Sequence, residues 1–148
     1  MGSLYLDWSD ALSTGITEVD EDHRHLLALY DRFSRAVGEG AGIAQMEQTL
    51  RDLIRYTETH FLREEAAMAE ASYPDLDAHR RAHDTIIQQI QDVQNEATSP
   101  EDQATRLLAF LGRWLLGHIL IVDMRFGEYM KQPDRQRAAT GRRRNGRS

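Results

Sequence analysis

The sequence predicts an all-α protein: an antiparallel, up-down-up-down four-helix bundle with an N-terminal arm. Three observations predict it. Apolar residues recur at alternating three- and four-residue steps over four segments, the period of one helix face. The breaks between the segments are short and rich in Gly, Pro, Ser and Asp, so successive helices should pack antiparallel. No stretch shows the strict alternation of a half-buried strand.

The first helix is expected from about Asp20 to Val37, preceded by the capping-type residues of "STGITEVD" and stopped by "GEGAG". Its stripe is Val19, His23, Leu26, Tyr30, Phe33 and Val37. The second runs from about Ile43 to Ala71, with Met46, Leu50, Leu53, Thr57, His60, Glu64 and Met68 in line. The third begins after "SYPDLD" and ends near Ala97, with Leu76, His79, His83, Ile86, Ile90 and Val93. The fourth opens on Ser99 as N-cap with Pro100 at the first helical position, and continues to about Met130. Its face is Leu108, Leu111, Leu115, His118 and Val122, and Asp123 lies at the margin. Residues 1–19 form an arm expected to lie over the bundle, with Trp8 packed against it.

A chain of 148 residues with 41% hydrophobic and 28% charged side chains is long enough for one domain with a real core, placed at residues 1–130. No apolar run approaches the length of a membrane span and no signal peptide is evident, so a cytoplasmic protein is expected. Residues 1–130 carry 11 arginines against 23 acids, and this body should repel nucleic acid. Residues 131–148 carry seven bases and one acid and are read as a solvated, disordered basic tail. There is no cysteine, which excludes disulfides, thiolate metal sites and cysteine nucleophiles.

Five histidines and a glutamate stand where the pattern demands apolar residues, with Asp123 beside them. An unpaired buried polar group costs roughly 1–3 kcal/mol, and an ion far more. A domain with about 5–15 kcal/mol of net stability cannot carry seven of them uncompensated. In an up-down-up-down bundle His23, His60, Glu64, His79, His83, His118 and Asp123 all fall at one end of the core. His60 and Glu64 are four apart, as are His79 and His83, so each pair can reach one ion. His118 and Asp123 are five apart, which suits a carboxylate reaching sideways. His25 lies about 200° around the helix from His23 and is read as a surface residue. Glu65, Arg80 and Arg81 are read as solvated-face residues.

Imidazole and carboxylate donors without thiolate exclude the common structural zinc sites. "HRRAH" lacks the glutamate of the zinc-protease signature. No Glu-x-x-His of the ferritin-like di-iron proteins occurs. Seven donors are too many for one small ion, and two ions sharing bridging carboxylates fit; these donors would also accept zinc or manganese.

The elements "ITEVDEDHRHLL", "YTETHFLREEAAM", "YPDLDAHRRAH" and "WLLGHILIVD" resemble the bacterial hemerythrins, from about Trp8 to Met130. The resemblance implies metal ligands at His23, His60, Glu64, His79, His83, His118 and Asp123. It implies two iron ions bridged by Glu64, Asp123 and an oxo or hydroxo group. His79, His83 and His118 would hold one iron. His23 and His60 would hold the other, leaving it one open position for dioxygen. Leu115, Leu116 and Ile119 are expected to wall an apolar dioxygen pocket. The expected function is reversible dioxygen binding for carriage, storage or delivery, without enzymatic turnover. A dioxygen or redox sensor acting through a protein partner is the alternative, and a di-iron oxidase or peroxidase ranks last.

Overall fold

The computed structural model describes residues 8–132. All of the expected basic tail, residues 131–148, except its first two residues, and the first seven residues of the arm lie outside them. Helix α1 spans Thr17–Gly38, α2 Ile43–Glu70 and α3 Leu76–Glu96. The fourth rod is α-helical over Pro100–Gly117 (α4), π-helical over His118–Asp123, and α-helical again over Met124–Lys131 (α5). Together these form the expected all-α four-helix bundle, and no strand occurs among the described residues.

Most of the expected stripe residues form the interior, while Val37, Leu76 and Val93 are half-buried. Leu26, Tyr30 and Phe33 of α1 pack with Leu50 and Leu53 of α2, Ile86 and Ile90 of α3, and Leu107, Leu111 and Leu115 of α4. A second cluster, Met68, Tyr73 and Phe126, closes the bundle where α2 turns into α3. On α4 the buried seam is Ala104, Leu107, Leu111 and Leu115, and the expected Leu108 is only half-buried.

The helix starts differ in how they are held. Ser99 caps α4 as expected: its hydroxyl accepts from the Asp102 N–H at 3.0 Å, and Asp102 accepts from the Thr98 N–H at 3.0 Å. Asp102 thus reaches past the cap to the N–H before it, a variant of the reciprocal capping pattern. Helix α1 starts three residues earlier than expected and has no side-chain N-cap. Instead Asp20 reaches back to the arm, accepting from the Thr14 N–H at 2.7 Å and the Ser13 hydroxyl at 2.6 Å. Burial pushes the Asp20 carboxyl up, but these hydrogen bonds outweigh it and hold it below the usual range. The arm lies on the bundle with Leu12 buried and Trp8 half-buried, the Arg24 guanidinium 4.6 Å from the Trp8 ring.

The expectation that no segment approaches a membrane span does not hold for the fourth rod. Pro100–Lys131 is one continuous helix, long and apolar enough by length and composition to cross a membrane. Leu107, Leu111, Leu115, Ile119 and Phe126 along it are buried inside the bundle, the pattern of a core helix.

Candidate metal centre

All seven expected residues are buried and meet at one end of the core. They fall into two overlapping sets. Glu64, His79, His83 and His118 form one; His23, His60, Glu64 and Asp123 form the other. Within each set one ligand atom per residue lies within 4.8 Å of all the others.

The local chain dictates this convergence. His60 and Glu64 are one turn apart near the end of α2, and His79 and His83 one turn apart at the start of α3. His118 and Asp123 are the exception, and here the structure corrects the sequence reading. In an α-helix five residues leave two side chains about 140° apart, which set Asp123 at the margin and Val122 on the face. The π-helical turn widens the spiral so that residues five apart sit one above the other. Asp123 is therefore fully buried beside His118, at 2.9 Å, and Val122 is only half-buried.

Both carboxylates face both sets. Glu64 Oε1 bonds to His79 Nε2 and lies 3.3 Å from His83 Nε2 and 3.5 Å from His118 Nε2. Its Oε2 lies 3.3 Å from His60 Nε2 and 4.0 Å from His23 Nε2. Asp123 repeats the division. Oδ1 is 2.9 Å from His118 and 3.4 Å from His79, while Oδ2 is 2.7 Å from His23 and 3.7 Å from His60.

Charge is concentrated here. Burial and the Asp123 charge push the Glu64 carboxyl up, but the imidazoles of His118, His60 and His79 hold it well below the usual range. Burial likewise raises Asp123, and the imidazoles of His118, His23 and His60 hold it well below. Burial pushes the His118 imidazolium down, but the Asp123 charge and the Glu64 carboxylate hold it at about 9. Burial also opposes protonation of His60, which the carboxylates of Asp123, Asp22 and Glu64 hold well above the ordinary value. The same two shared carboxylates raise His79 against its burial. Two ionised acids thus create a pocket that favours positive charge, whether protons or metal cations.

The donor set fits a pair of metal ions. His60 Nε2, Glu64 Oε2 and Asp123 Oδ1 are buried yet have no aligned hydrogen-bond partner among the described residues. His83 Nε2 and His118 Nε2 face each other at 3.2 Å. Lone pairs turned inward without donors are what cations satisfy.

Two further residues belong to the site and were missed in the sequence. Asp22, buried on α1, lies with Oδ2 3.0 Å from His60 Nδ1. Glu65, read above as a solvated-face residue, is half-buried, and its Oε2 lies 3.0 Å from His83 Nδ1. Arg80, also assigned to the solvated face, is exposed but reaches Glu65 at 3.3 Å. Arg81 is exposed as expected. Both acids sit next to ligand positions in sequence and had no pattern of their own to mark them. His25 is exposed as expected, its ring 4.2 Å from that of Tyr56. Leu115 and Ile119 are buried in the main core, and Leu116 is half-buried against it.

Residues 14–129 match the family model of the hemerythrin HHE cation-binding domain. The chain is 30% identical over 126 residues to a bacteriohemerythrin of Stenotrophomonas maltophilia, covering 85% of this chain and 82% of that one. It is 30% identical over 115 residues to a bacteriohemerythrin of Pseudomonas aeruginosa, covering 78% and 74%. It is 26% identical over 119 residues to a myohemerythrin of Riftia pachyptila, covering 80% and 88%. A four-helix bundle with a buried His, Glu and Asp cluster, matched by this family model over most of its length, belongs to the hemerythrin family of di-iron, oxygen-binding domains.

Proposed function

We propose that the chain binds dioxygen reversibly, as a carrier or store, at two iron ions held by the seven buried side chains. His79, His83 and His118 would hold one ion and His23 and His60 the other, with Glu64 and Asp123 shared. The observation that carries the reading is the division of each shared carboxylate, one oxygen toward each set of imidazoles. When bound, the iron pair supplies the electrons for reversible dioxygen binding.

The chain's own part is to hold, to differentiate and to exclude. Three imidazoles face one side and two the other; with both carboxylates shared, the side of His23 and His60 would have one donor fewer. Leu115, Leu116 and Ile119 would wall the dioxygen pocket. An apolar wall withholds water and protons, and so opposes the side reactions that would make binding irreversible.

Protein loaded anaerobically with ferrous iron should contain two ions per chain. It should gain charge-transfer absorption in air and lose it under vacuum over repeated cycles. Irreversible oxidation on the first exposure would exclude a carrier. Continued dioxygen consumption with a reductant present would indicate an enzyme instead.

A further inference from the structure

The outer nitrogen of His60 is tied to the surface through a closed set of hydrogen bonds. His60 Nδ1 donates to Asp22 Oδ2 at 3.0 Å. Asp22 Oδ1 accepts from the Tyr56 hydroxyl at 2.7 Å and from Arg63 Nη1 at 2.8 Å. The Arg63 guanidinium in turn lies 5.8 Å from the Tyr56 ring. On their outer side Tyr56 and Arg63 line a groove of about 420 Å³, together with His25, Arg55 and Thr59. A carboxylate held by three donors cannot turn away, and an imidazole bonded through Nδ1 is fixed with its Nε2 lone pair facing inward.

Its neighbour in the same set lacks such support: His23 Nδ1 is buried with no hydrogen-bond partner among the described residues. In the other set the equivalent contact is looser. Glu65 reaches His83 Nδ1 at 3.0 Å, but its side chain is 19% exposed against 7% for Asp22, and one arginine, Arg80, approaches it at 3.3 Å.

We propose that Asp22 is a positioning residue: clamped by Tyr56 and Arg63, it fixes the His60 ring and strengthens it as a donor to the ion of the His23–His60 set. Glu65 performs the weaker counterpart for His83. The inference rests on the metal-centre reading above.

Calorimetric titration of the whole chain with cobalt(II), with the visible spectrum recorded at each addition, tests both. Wild type should bind two ions tightly. Asp22→Asn should keep one tight ion and weaken the other about 10–100-fold, the usual effect of losing such a partner. Its spectrum should change only at the second ion. Glu65→Gln should weaken the other ion less strongly, and the double variant should leave neither ion at its wild-type affinity. Arg63→Gln and Tyr56→Phe keep the carboxylate in place and should weaken one ion less strongly. If Asp22→Asn does not fold, the Arg63→Gln result decides alone. With iron in place, Asp22→Asn should move the reduction potential positive, because a negative charge near the ferric state is lost. Two tight ions with unaltered spectra in Asp22→Asn or Arg63→Gln would overturn the proposal, as would one ion at wild-type affinity in the double variant. No ion in wild type would instead overturn the metal reading beneath it.

Discussion

Asp123 follows His118 by five residues, yet Oδ1 of the one lies 2.9 Å from Nε2 of the other. The π-helical turn makes this possible by placing residues five apart on one face. It also displaces the helix by one residue relative to an uninterrupted α-helix, and the displaced residues Leu120 and Ile121 are exposed.

Deleting Ile121, which is 57% exposed, should therefore be tolerated. The turn would revert to α-helix with the acid four residues after His118, still one turn below it. Elemental analysis should find two ions per chain. Inserting an alanine between Ile121 and Val122 should instead carry the acid off the face and lose at least one ion. Loss of metal in the deletion variant would show that the π turn is required for its own shape.

The ligand assignment separates a buried histidine from an exposed one. His118→Ala should lose iron and lower the melting temperature. His25→Ala, on the exposed side of α1, should change neither. Glu64→Ala should weaken both ions together, since its two oxygens face both sets. Equal iron content in the His118 and His25 variants would refute the assignment.

The metal-free protein should lose stability as pH rises. His118 titrates at about 9 in the fold, above its ordinary value of 6.5, with His60 and His79 raised in the same direction. A raised imidazolium contributes stability that is complete below about pH 6.5 and lost as pH climbs through about 9. For His118 this is on the order of a few kcal/mol. Glu64 and Asp123 act oppositely, since their lowered carboxyls contribute above about pH 4 and lose that contribution as pH falls. Thermal melts of chelator-treated protein should therefore show greatest stability between about pH 4 and 6.5. Metal must displace these protons, so its affinity should rise with pH over the interval in which the apo form weakens. A metal-free melting temperature that is flat from pH 6 to 9 would contradict this.

The bundle and the position of its site were legible in the sequence because both depend on helical period alone. His23, His60, His79 and His83 replace apolar residues on stripes that Leu26, Leu53 and Ile86 otherwise define, and all of these are buried as the period requires. Asp123 was legible only as a residue near the site, because the π turn breaks the period used to read it. Asp22 and Glu65 were illegible for another reason. Each lies off the buried stripe and is drawn in by a partner on another helix, His60 for Asp22 and His83 for Glu65. A contact of 38 residues' separation leaves no local trace in the chain. The close approach of α1 to α4 was equally hidden, because a glycine in an apolar helix carries no sign of what it admits.

That approach gives a last prediction. A Cβ on Gly112 would clash with the Tyr30 hydroxyl oxygen. Tyr30 is fully buried and its hydroxyl donates to the Leu108 carbonyl at 3.0 Å, so the ring cannot move aside without losing that bond. Helix propensity favours alanine over glycine by up to about 1 kcal/mol, and overpacking typically costs about 1–3 kcal/mol. Gly112→Ala should therefore destabilise the protein in denaturant titrations, the clash outweighing the propensity. Tyr30→Phe alone should cost about 1 kcal/mol by freeing the carbonyl, and should relieve much of the clash when combined with Gly112→Ala. The double variant should then be more stable than the sum of the two single losses requires, a coupling of 0.5 kcal/mol or more by the usual scale for residues in contact. Strict additivity would mean that α1 and α4 do not meet at this point.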